Sequence, residues 1–169
     1  MHEHEIDTAA RIEFRETVGG DDPVRVGGLV AETGFFSDEE RRIAIELVDE
    51  RLAKGIDSGY EFIFAERAGE LVGYTCHGRI AGTRSSHDLY WIAVHPRVQR
   101  RGLGRELIVR SERAIAAAGG TRIYVDTSSR PQYAPTRAFY ERAGYTRAAL
   151  LDDYYAPGDG LVIFQKVLR

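Results

Sequence analysis

The stretch DLYWIAVHP occupies residues 88–96, and QRRGLG follows at residues 99–104. The first stretch is apolar and rich in aromatic and β-branched side chains, which predicts a strand. Gly119 and Gly120 mark the end of a helix that follows the second stretch. The helix is predicted because apolar residues recur at three-to-four spacing: Leu103, Leu107, Ile108, Ile115 and Ala118. The chain therefore predicts a strand, a tight turn and a helix in direct succession.

The predicted turn has the composition of an anion site. Gly102 and Gly104 leave it without side chains where backbone N–H groups would point outward, and those groups add to the positive end of the helix dipole. Such a concavity suits a phosphate or a pyrophosphate. The dinucleotide fingerprint is excluded because Leu107 stands where its third glycine would be. The alternative is that the glycines only shape a tight turn.

Composition restricts the class of protein. A chain of 169 residues with 43% hydrophobic and 29% charged residues predicts one globular domain, residues 1–169. The net charge of −3 argues against nonspecific binding to nucleic acid. Cys76 is the only cysteine, so the chain builds neither an internal disulfide nor a cysteine-based zinc site, and we expect no metal. With no leader-like amino terminus and no membrane-length apolar run, we expect a cytoplasmic protein.

The remaining pattern predicts a sheet with helices. A helix begins near Asp38 after a capping box of Ser37 and Glu40, and Gly55 ends it. Its buried stripe is predicted to be Ile43, Ala44, Leu47, Val48 and Leu52. Further helices are predicted over 24–33 and 136–143, and further strands over 11–18, 60–66, 71–77, 122–127, 145–151 and 161–167, with 152–160 as a connector. This order predicts an α/β (α+β) fold: a mixed central sheet of about seven strands with helices on both faces.

The segment QRRGLG after IAVHP resembles the coenzyme A turn of the GNAT (Gcn5-related N-acetyltransferase) superfamily. The order of predicted elements is also that of the superfamily, so the resemblance covers nearly the whole chain. It is tightest over residues 88–144, and the pattern is most similar to that of the ribosomal-protein alanine acetyltransferases. The resemblance implies the acyl-CoA N-acyltransferase fold and acetyl-CoA as co-substrate.

The segment FYERAGY at residues 139–145 resembles the part of the family that places a tyrosine near the coenzyme A sulfur. The resemblance makes Tyr140 the proposed general acid. For the base it offers Asp126, placed as in the alanine acetyltransferases, or Asp88, placed as in the histone acetyltransferases. The alternatives are a tyrosine at the domain surface and two strand-end aspartates bonded to neighbouring groups.

By resemblance, two further sets of residues bind the substrates. The coenzyme set comprises Ile92, Ala93, Val94, Gln99, Arg100, Arg101, Gly102, Leu103, Gly104 and Arg105, with Arg97 nearby. The acceptor set comprises Phe35, Phe36, Tyr90, Asp152 and Tyr154, whose aromatic and acidic side chains favour a cationic amine. Tyr133 stands where many members of the family have an asparagine, so the loop around it departs from the family pattern.

The sequence therefore predicts an enzyme that moves an acetyl group from acetyl-CoA to a primary amine by direct attack in a ternary complex. Its expected partners are acetyl-CoA and the amine, with no nucleic acid and no membrane, and with a homodimer left open. The alternatives are a non-catalytic acyl-CoA sensor and an enzyme for longer acyl-CoA donors. The acceptor, the length of the donor chain and the identity of the basic aspartate are left open.

Overall fold

A computed structural model describes residues 10–169 of the chain. Residues 1–9, on which the expectation of no leader partly rests, lie outside this range. The helices are α1 (Asp22–Glu32), α2 (Asp38–Lys54), α3 (Leu103–Ala117) and α4 (Ala134–Arg142). The strands are β1 (Ile12–Arg15), β2 (Glu61–Arg67), β3 (Glu70–Arg79), β4 (Ser86–Val94), β5 (Arg122–Ser128), β6 (Thr146–Ala156) and β7 (Asp159–Val167). The order of elements is the predicted one.

The strands form one mixed sheet in the order β1-β2-β3-β4-β5-β7-β6. Strand β4 pairs with β5 in parallel, whereas the pairs β1–β2, β2–β3, β5–β7 and β6–β7 are antiparallel. The predicted fold of about seven strands is confirmed. The chain divides into two compact units: an amino-terminal unit up to His77 with Trp91–Ser111, and a carboxy-terminal unit of Gly78–Tyr90 with Glu112–Arg169.

In the amino-terminal unit, helices cover both faces of the strands. Buried side chains of α1 and α2 pack with Phe64 and Tyr74, which are paired neighbours on β2 and β3. Side chains alternate between the faces of a strand, so Gly73 and Thr75 point to the opposite face. There Leu107 of α3 comes within 3.0 Å of the Cβ position of Gly73, and Thr75 hydrogen-bonds Ser111 at 2.7 Å. This packing buries Leu107 completely and orients the amino-terminal turns of α3.

Strand β6 is longer than predicted, and the predicted connector over 152–160 is wrong. The strand continues to Ala156, and only Pro157 and Gly158 separate it from β7. The register with β7 shifts between Leu151 and Ala156, so β6 carries a bulge there, with Asp153 at φ 54°. The polar residues that predict a loop therefore lie on a bulge of an edge strand, a device that also discourages pairing with other chains.

The amphipathic predictions for the helices hold in part. The capping box is confirmed, since Ser37 accepts from Glu40 N–H and the Glu40 carboxylate accepts from Ser37 N–H. Ile43 and Leu52, however, are 43% and 41% exposed, so only the middle of the predicted stripe of α2 is buried. Ala118 is exposed because α3 ends one residue before it. No helix among residues 10–169 combines the length and apolar character that a membrane crossing needs.

A network of ion pairs joins β1, α1 and β2 in the amino-terminal unit. Asp22 is 1% exposed and accepts hydrogen bonds from Arg15 at 2.5 and 2.8 Å and from Gly19 N–H at 2.7 Å. Glu66 accepts from Arg15 and from Arg25 at 2.9 and 2.6 Å. Burial raises the pKa of Asp22, but the bonds from Arg15 and Gly19 and the nearby positive charges outweigh burial, so the pKa lies below its usual value.

We expect Asp22→Asn to lower the free energy of unfolding at pH 7 by about 3 kcal/mol, because it removes one partner of a buried ion pair. The pKa of Asp22 is lower in the folded chain, so its contribution is complete above the unfolded pKa of about 4 and is lost as pH falls through the folded value. Urea unfolding at pH 7 and pH 3 measures the free energy of unfolding of the unmodified chain and of Asp22→Asn. The difference between the two should be smaller at pH 3. Asp57→Asn, at an exposed site, is the control. A loss independent of pH would contradict this account.

Candidate functional site

The turn between β4 and α3 is held by hydrogen bonds to main-chain carbonyl groups. His95 N–H donates to Val72 O at 2.8 Å, and the side-chain amide of Gln99 donates to Val94 O at 3.0 Å. The chain then turns through positive φ at Arg100 (61°) and at Gly102 (84°). Helical hydrogen bonding begins with Glu106 N–H to Gly102 O at 3.0 Å, and the N–H groups of a first helical turn have no partner within their helix. The turn therefore offers main-chain donors at the positive end of α3.

The predicted coenzyme residues lie on this turn and on the strand before it. Ala93 is buried, and its neighbours Ile92 and Val94 are half-buried. Leu103 is 3% exposed and anchors the start of α3, so it can offer only its backbone. The side chains of Gln99 and of the four arginines predicted around the phosphates are exposed: Arg97, Arg100, Arg101 and Arg105. A compact anion bound to the main chain would have exposed cationic side chains around it.

The two predicted base residues lie close together in the carboxy-terminal unit. Asp88 of β4 is paired with Tyr124 of β5, and Asp126 is two residues further along β5. All three side chains share one face, and strand spacings put the α-carbons of the two aspartates about 8 Å apart. Burial and the charge of Asp126 raise the pKa of Asp88 to about 6, and burial raises the pKa of Asp126. A carboxylate that takes up a proton near neutral pH is suited to act as a general base.

The bulge of β6 brings an aromatic side chain to this pair. Burial and then the charge of Asp126 raise the pKa of the Tyr155 phenol to about 12. Its ring meets that of Tyr154 edge-on at 5.0 Å. Asp152 and Tyr154, the predicted acceptor residues, lie on the same bulge with exposed side chains. Tyr155 belongs to the aromatic and acidic segment 152–155 that is expected at the acceptor site, and the bulge decides which side chain of that segment faces Asp126.

Tyr140 is held by the end of its own helix. Tyr145 N–H donates to Tyr140 O, and Gly144 N–H donates to Glu141 O, both at 3.0 Å, with Gly144 at φ 90°. This is a Schellman motif. Such motifs usually include a side-chain contact between the two positions that Tyr140 and Tyr145 occupy here. Their rings are 5.8 Å apart, and Phe164 of β7 lies 5.8 Å from the ring of Tyr140. The spacing of Tyr140, Gly144 and Tyr145 in FYERAGY therefore fixes the position of the Tyr140 ring.

Burial determines the protonation state of this phenol. Tyr140 is 4% exposed, and burial raises its pKa above the usual value of about 10. At neutral pH the hydroxyl therefore keeps its proton. Such a phenol is a good hydrogen-bond donor to a developing anion, and complete transfer of its proton is less favourable than for an exposed tyrosine.

The predicted aromatic acceptor residues fall in both units. Phe35 and Phe36 precede α2 in the amino-terminal unit, with ring centroids 5.3 Å apart. Phe36 also lies 4.8 Å from Trp91 and packs on the hydrophobic core, so part of its role is structural. Tyr90 belongs to the carboxy-terminal unit and is 39% exposed. Cys76 is completely buried, and burial raises its pKa, which makes it a packing residue without nucleophilic character.

Known proteins with similar sequences and folds are acetyltransferases. The profile of the acetyltransferase (GNAT) domain matches residues 58–147, more than half of the chain. The crystal structure of a GNAT-family protein from Desulfovibrio desulfuricans has 41% sequence identity and a TM-score of 0.90, and the match covers 93% of this chain and 99% of that chain.

Two named enzymes are also similar. Mycothiol acetyltransferase from Amycolatopsis mediterranei is 31% identical over an alignment of 147 residues, and the match covers 80% of this chain and 46% of that enzyme. This chain therefore spans about half the length of that relative. The ribosomal-protein-S18-alanine N-acetyltransferase from Escherichia coli has a TM-score of 0.73 at 17% identity, covering 93% of this chain and 94% of that chain, and shares the fold.

Proposed function

This chain belongs to the GNAT acetyltransferase family, and we propose that it transfers an acetyl group from acetyl-CoA to a primary amine by direct attack in a ternary complex. The observation that carries the proposal is the turn after β4, where main-chain N–H groups and positive φ at Gly102 precede the amino terminus of α3. We further propose that residues 1–169 form a single N-acetyltransferase domain that acts in the cytoplasm.

The turn fits the pyrophosphate of acetyl-CoA. Among residues 10–169, and apart from its neighbours in the chain, a Cβ added at Gly102 would meet no atom within 4 Å, so the space beside that backbone is open to a ligand. We expect the N–H groups of residues 102–105 to bind the diphosphate, and the exposed Arg100, Arg101 and Arg105 to add charge. The backbone of Ile92 and Val94 would then bind the pantetheine arm in the manner of an added strand.

The acceptor amine has to lose a proton before or during its attack. An α-amine with a pKa of about 8 is neutral in roughly a tenth of molecules at pH 7, whereas a lysine side chain with a pKa of about 10.4 is neutral in roughly one in 2,500. Asp88 is the stronger candidate for the base, because its pKa of about 6 leaves it mostly ionised at pH 7 and still able to take up the proton. The nearby charge of Asp126 tunes Asp88 and attracts a cationic acceptor.

The leaving thiolate also needs stabilisation. A thiol pKa of about 8.5 lies below that of a tyrosine phenol, and burial widens the difference for Tyr140. We therefore propose that Tyr140 donates a hydrogen bond to the sulfur as the carbon–sulfur bond breaks. The phenol keeps its own proton, and the thiolate takes up a proton from water after it leaves.

The test is thiol release from acetyl-CoA in the presence of a panel of amines, with the acetylated product identified by mass. The panel should include peptides with a free α-amine, peptides with a lysine and small aliphatic amines. We expect at least one amine to be acetylated in proportion to the thiol released. If acetyl-CoA binds but no amine causes thiol release, the chain is better explained as a non-catalytic acyl-CoA sensor. Faster turnover with a longer acyl-CoA would favour an enzyme for longer acyl donors.

A further inference from the structure

The carbonyl groups at the carboxyl end of α4 receive a donor from a distant strand. Lys166 of β7 donates through Nζ to Ala143 O, the residue that caps α4, at 2.8 Å. The ammonium is 5.4 Å from the ring centroid of Tyr145 and 3.6 Å from the Cβ position of Gly144. Lys166 therefore contacts the three residues that follow α4, where a cation is favoured by the helix dipole.

The same ammonium is paired with a carboxylate on another helix. Lys166 Nζ donates to Glu112 Oε1 of α3 at 2.8 Å, and the side chain of Glu112 is only 13% exposed. Burial and then the charge of Glu112 raise the pKa of the Tyr145 phenol. A lysine with three donors can serve two acceptors on different elements, so it joins α3, β7 and the end of α4 in the carboxy-terminal unit.

The contacts lead directly to Tyr140. The ring of Tyr145, which lies 5.4 Å from the Lys166 ammonium, also packs edge-on against the ring of Tyr140, with centroids 5.8 Å apart. The amide of Tyr145 bonds the carbonyl of Tyr140, so a displacement of the helix end displaces both the backbone and the ring of Tyr140. Phe164, two residues before Lys166 on β7, packs on the same ring.

We propose that Lys166, paired with Glu112, is the positioning residue that fixes the ring of Tyr140 for acetyl transfer. The inference rests on the proposed role of Tyr140. Lysine is rare in this chain, which has only Lys54 and Lys166 among its 23 basic residues. Lys54 pairs with Glu50 at 2.7 Å on the exposed surface of α2 and provides a matched control.

The test is a double-mutant cycle in the full chain with Tyr140→Phe, Lys166→Met and their combination, with Lys54→Met as control. We expect Lys166→Met to lower kcat about tenfold, because small displacements of a reacting group are costly, and to change the KM for acetyl-CoA by less than about twofold. In the Tyr140→Phe background the same substitution should change kcat by less than about twofold, since the group that it positions has gone. Lys54→Met should leave kcat unchanged.

A second readout does not depend on turnover. It is the NMR spectrum of chains with ¹³C-labelled tyrosine. The ring signals of Tyr140 are assigned as those that disappear in Tyr140→Phe. We expect Lys166→Met, and more weakly Glu112→Gln, to shift or broaden those signals, while Lys54→Met leaves them in place. If Lys166→Met does not fold, Lys166→Arg and Glu112→Gln take its place in the cycle, and Lys166→Arg should keep at least about a third of kcat.

The outcomes separate the two proposals. An equal loss of kcat from Lys166→Met with and without the Tyr140 hydroxyl, or unchanged Tyr140 signals, would overturn the positioning role and leave acetyl transfer intact. Absence of turnover by the unmodified chain would count against the proposed function, while the ring signals would still decide whether Lys166 orients Tyr140.

Discussion

Replacing Tyr140 by phenylalanine is expected to lower kcat by about a hundredfold or more while acetyl-CoA still binds. The ring fills space beside Tyr145 and Phe164, and phenylalanine keeps that packing. Only the hydroxyl is lost, and with it the hydrogen bond that we propose for the leaving sulfur. A hundredfold loss corresponds to about 2.7 kcal/mol, the scale of removing one preorganised donor from a site that excludes water.

The control for this variant is Tyr74→Phe. Tyr74 is a buried tyrosine of the amino-terminal unit whose hydroxyl has no hydrogen-bond partner among residues 10–169. The Tyr74→Phe substitution removes the same atom from a comparably buried environment. We therefore expect kcat to change by less than about twofold. Single-turnover release of thiol, with acetyl-CoA affinity measured in parallel, distinguishes the chemical step from binding. A Tyr140→Phe enzyme with unchanged kcat would remove the phenol from the mechanism.

Replacing Asp88 by asparagine is expected to lower kcat/KM for the amine by about a hundredfold, the usual scale of a general base. In the unmodified chain, kcat/KM should fall as pH drops below about 6, because protonated Asp88 cannot accept the amine's proton. The charge of Asp126 contributes to the raised pKa of Asp88. Asp126→Asn should therefore move this acid limb to lower pH, with higher relative activity at pH 5.

The comparison uses one amine for all variants, so ionisation of the free amine is the same in each profile. Asp49→Asn, an exposed carboxylate on α2 that has no part in the proposed site, serves as the control for loss of one negative charge. Loss of the limb in Asp126→Asn, with activity retained in Asp88→Asn, would exchange the roles of the two aspartates. Profiles like that of the unmodified chain in both variants would remove both aspartates from the mechanism.

The fold was predictable where local chemistry decides the structure. The Ser37–Glu40 capping box, the hairpin around Gly69 and the turn at Gly102 each depend on residues close in sequence, and all three are present. The order of elements follows from them. The exposure of Ile43 and Leu52 was not predictable from periodicity, because an apolar stripe is buried only where another element covers it.

The site was predictable in its main-chain part and less so in its side chains. The turn before α3 and the position of Tyr140 follow from short motifs, and the 140–144–145 spacing could have identified the Schellman motif beforehand. The contact of Lys166 with Glu112 joins residues 54 positions apart in sequence, and no local pattern announces it. The approach of Tyr155 to Asp126 depends on a bulge, which moves a side chain from one face of a strand to another.

The central claim is that main-chain donors at the turn after β4 bind acetyl-CoA, and calorimetric titration of the unmodified chain, Gly102→Ala and Gly119→Ala tests it most directly. Both glycines have positive φ, 84° and 86°, and in the part of the chain that the structure describes a Cβ at either would meet no non-adjacent atom within 4 Å, so the backbone strain is matched. We predict saturable heat for the unmodified chain and for Gly119→Ala, and affinity reduced at least about tenfold in Gly102→Ala, where strain and the new methyl group oppose the phosphate. No binding heat from the unmodified chain, or equal affinity in both variants, would contradict the claim.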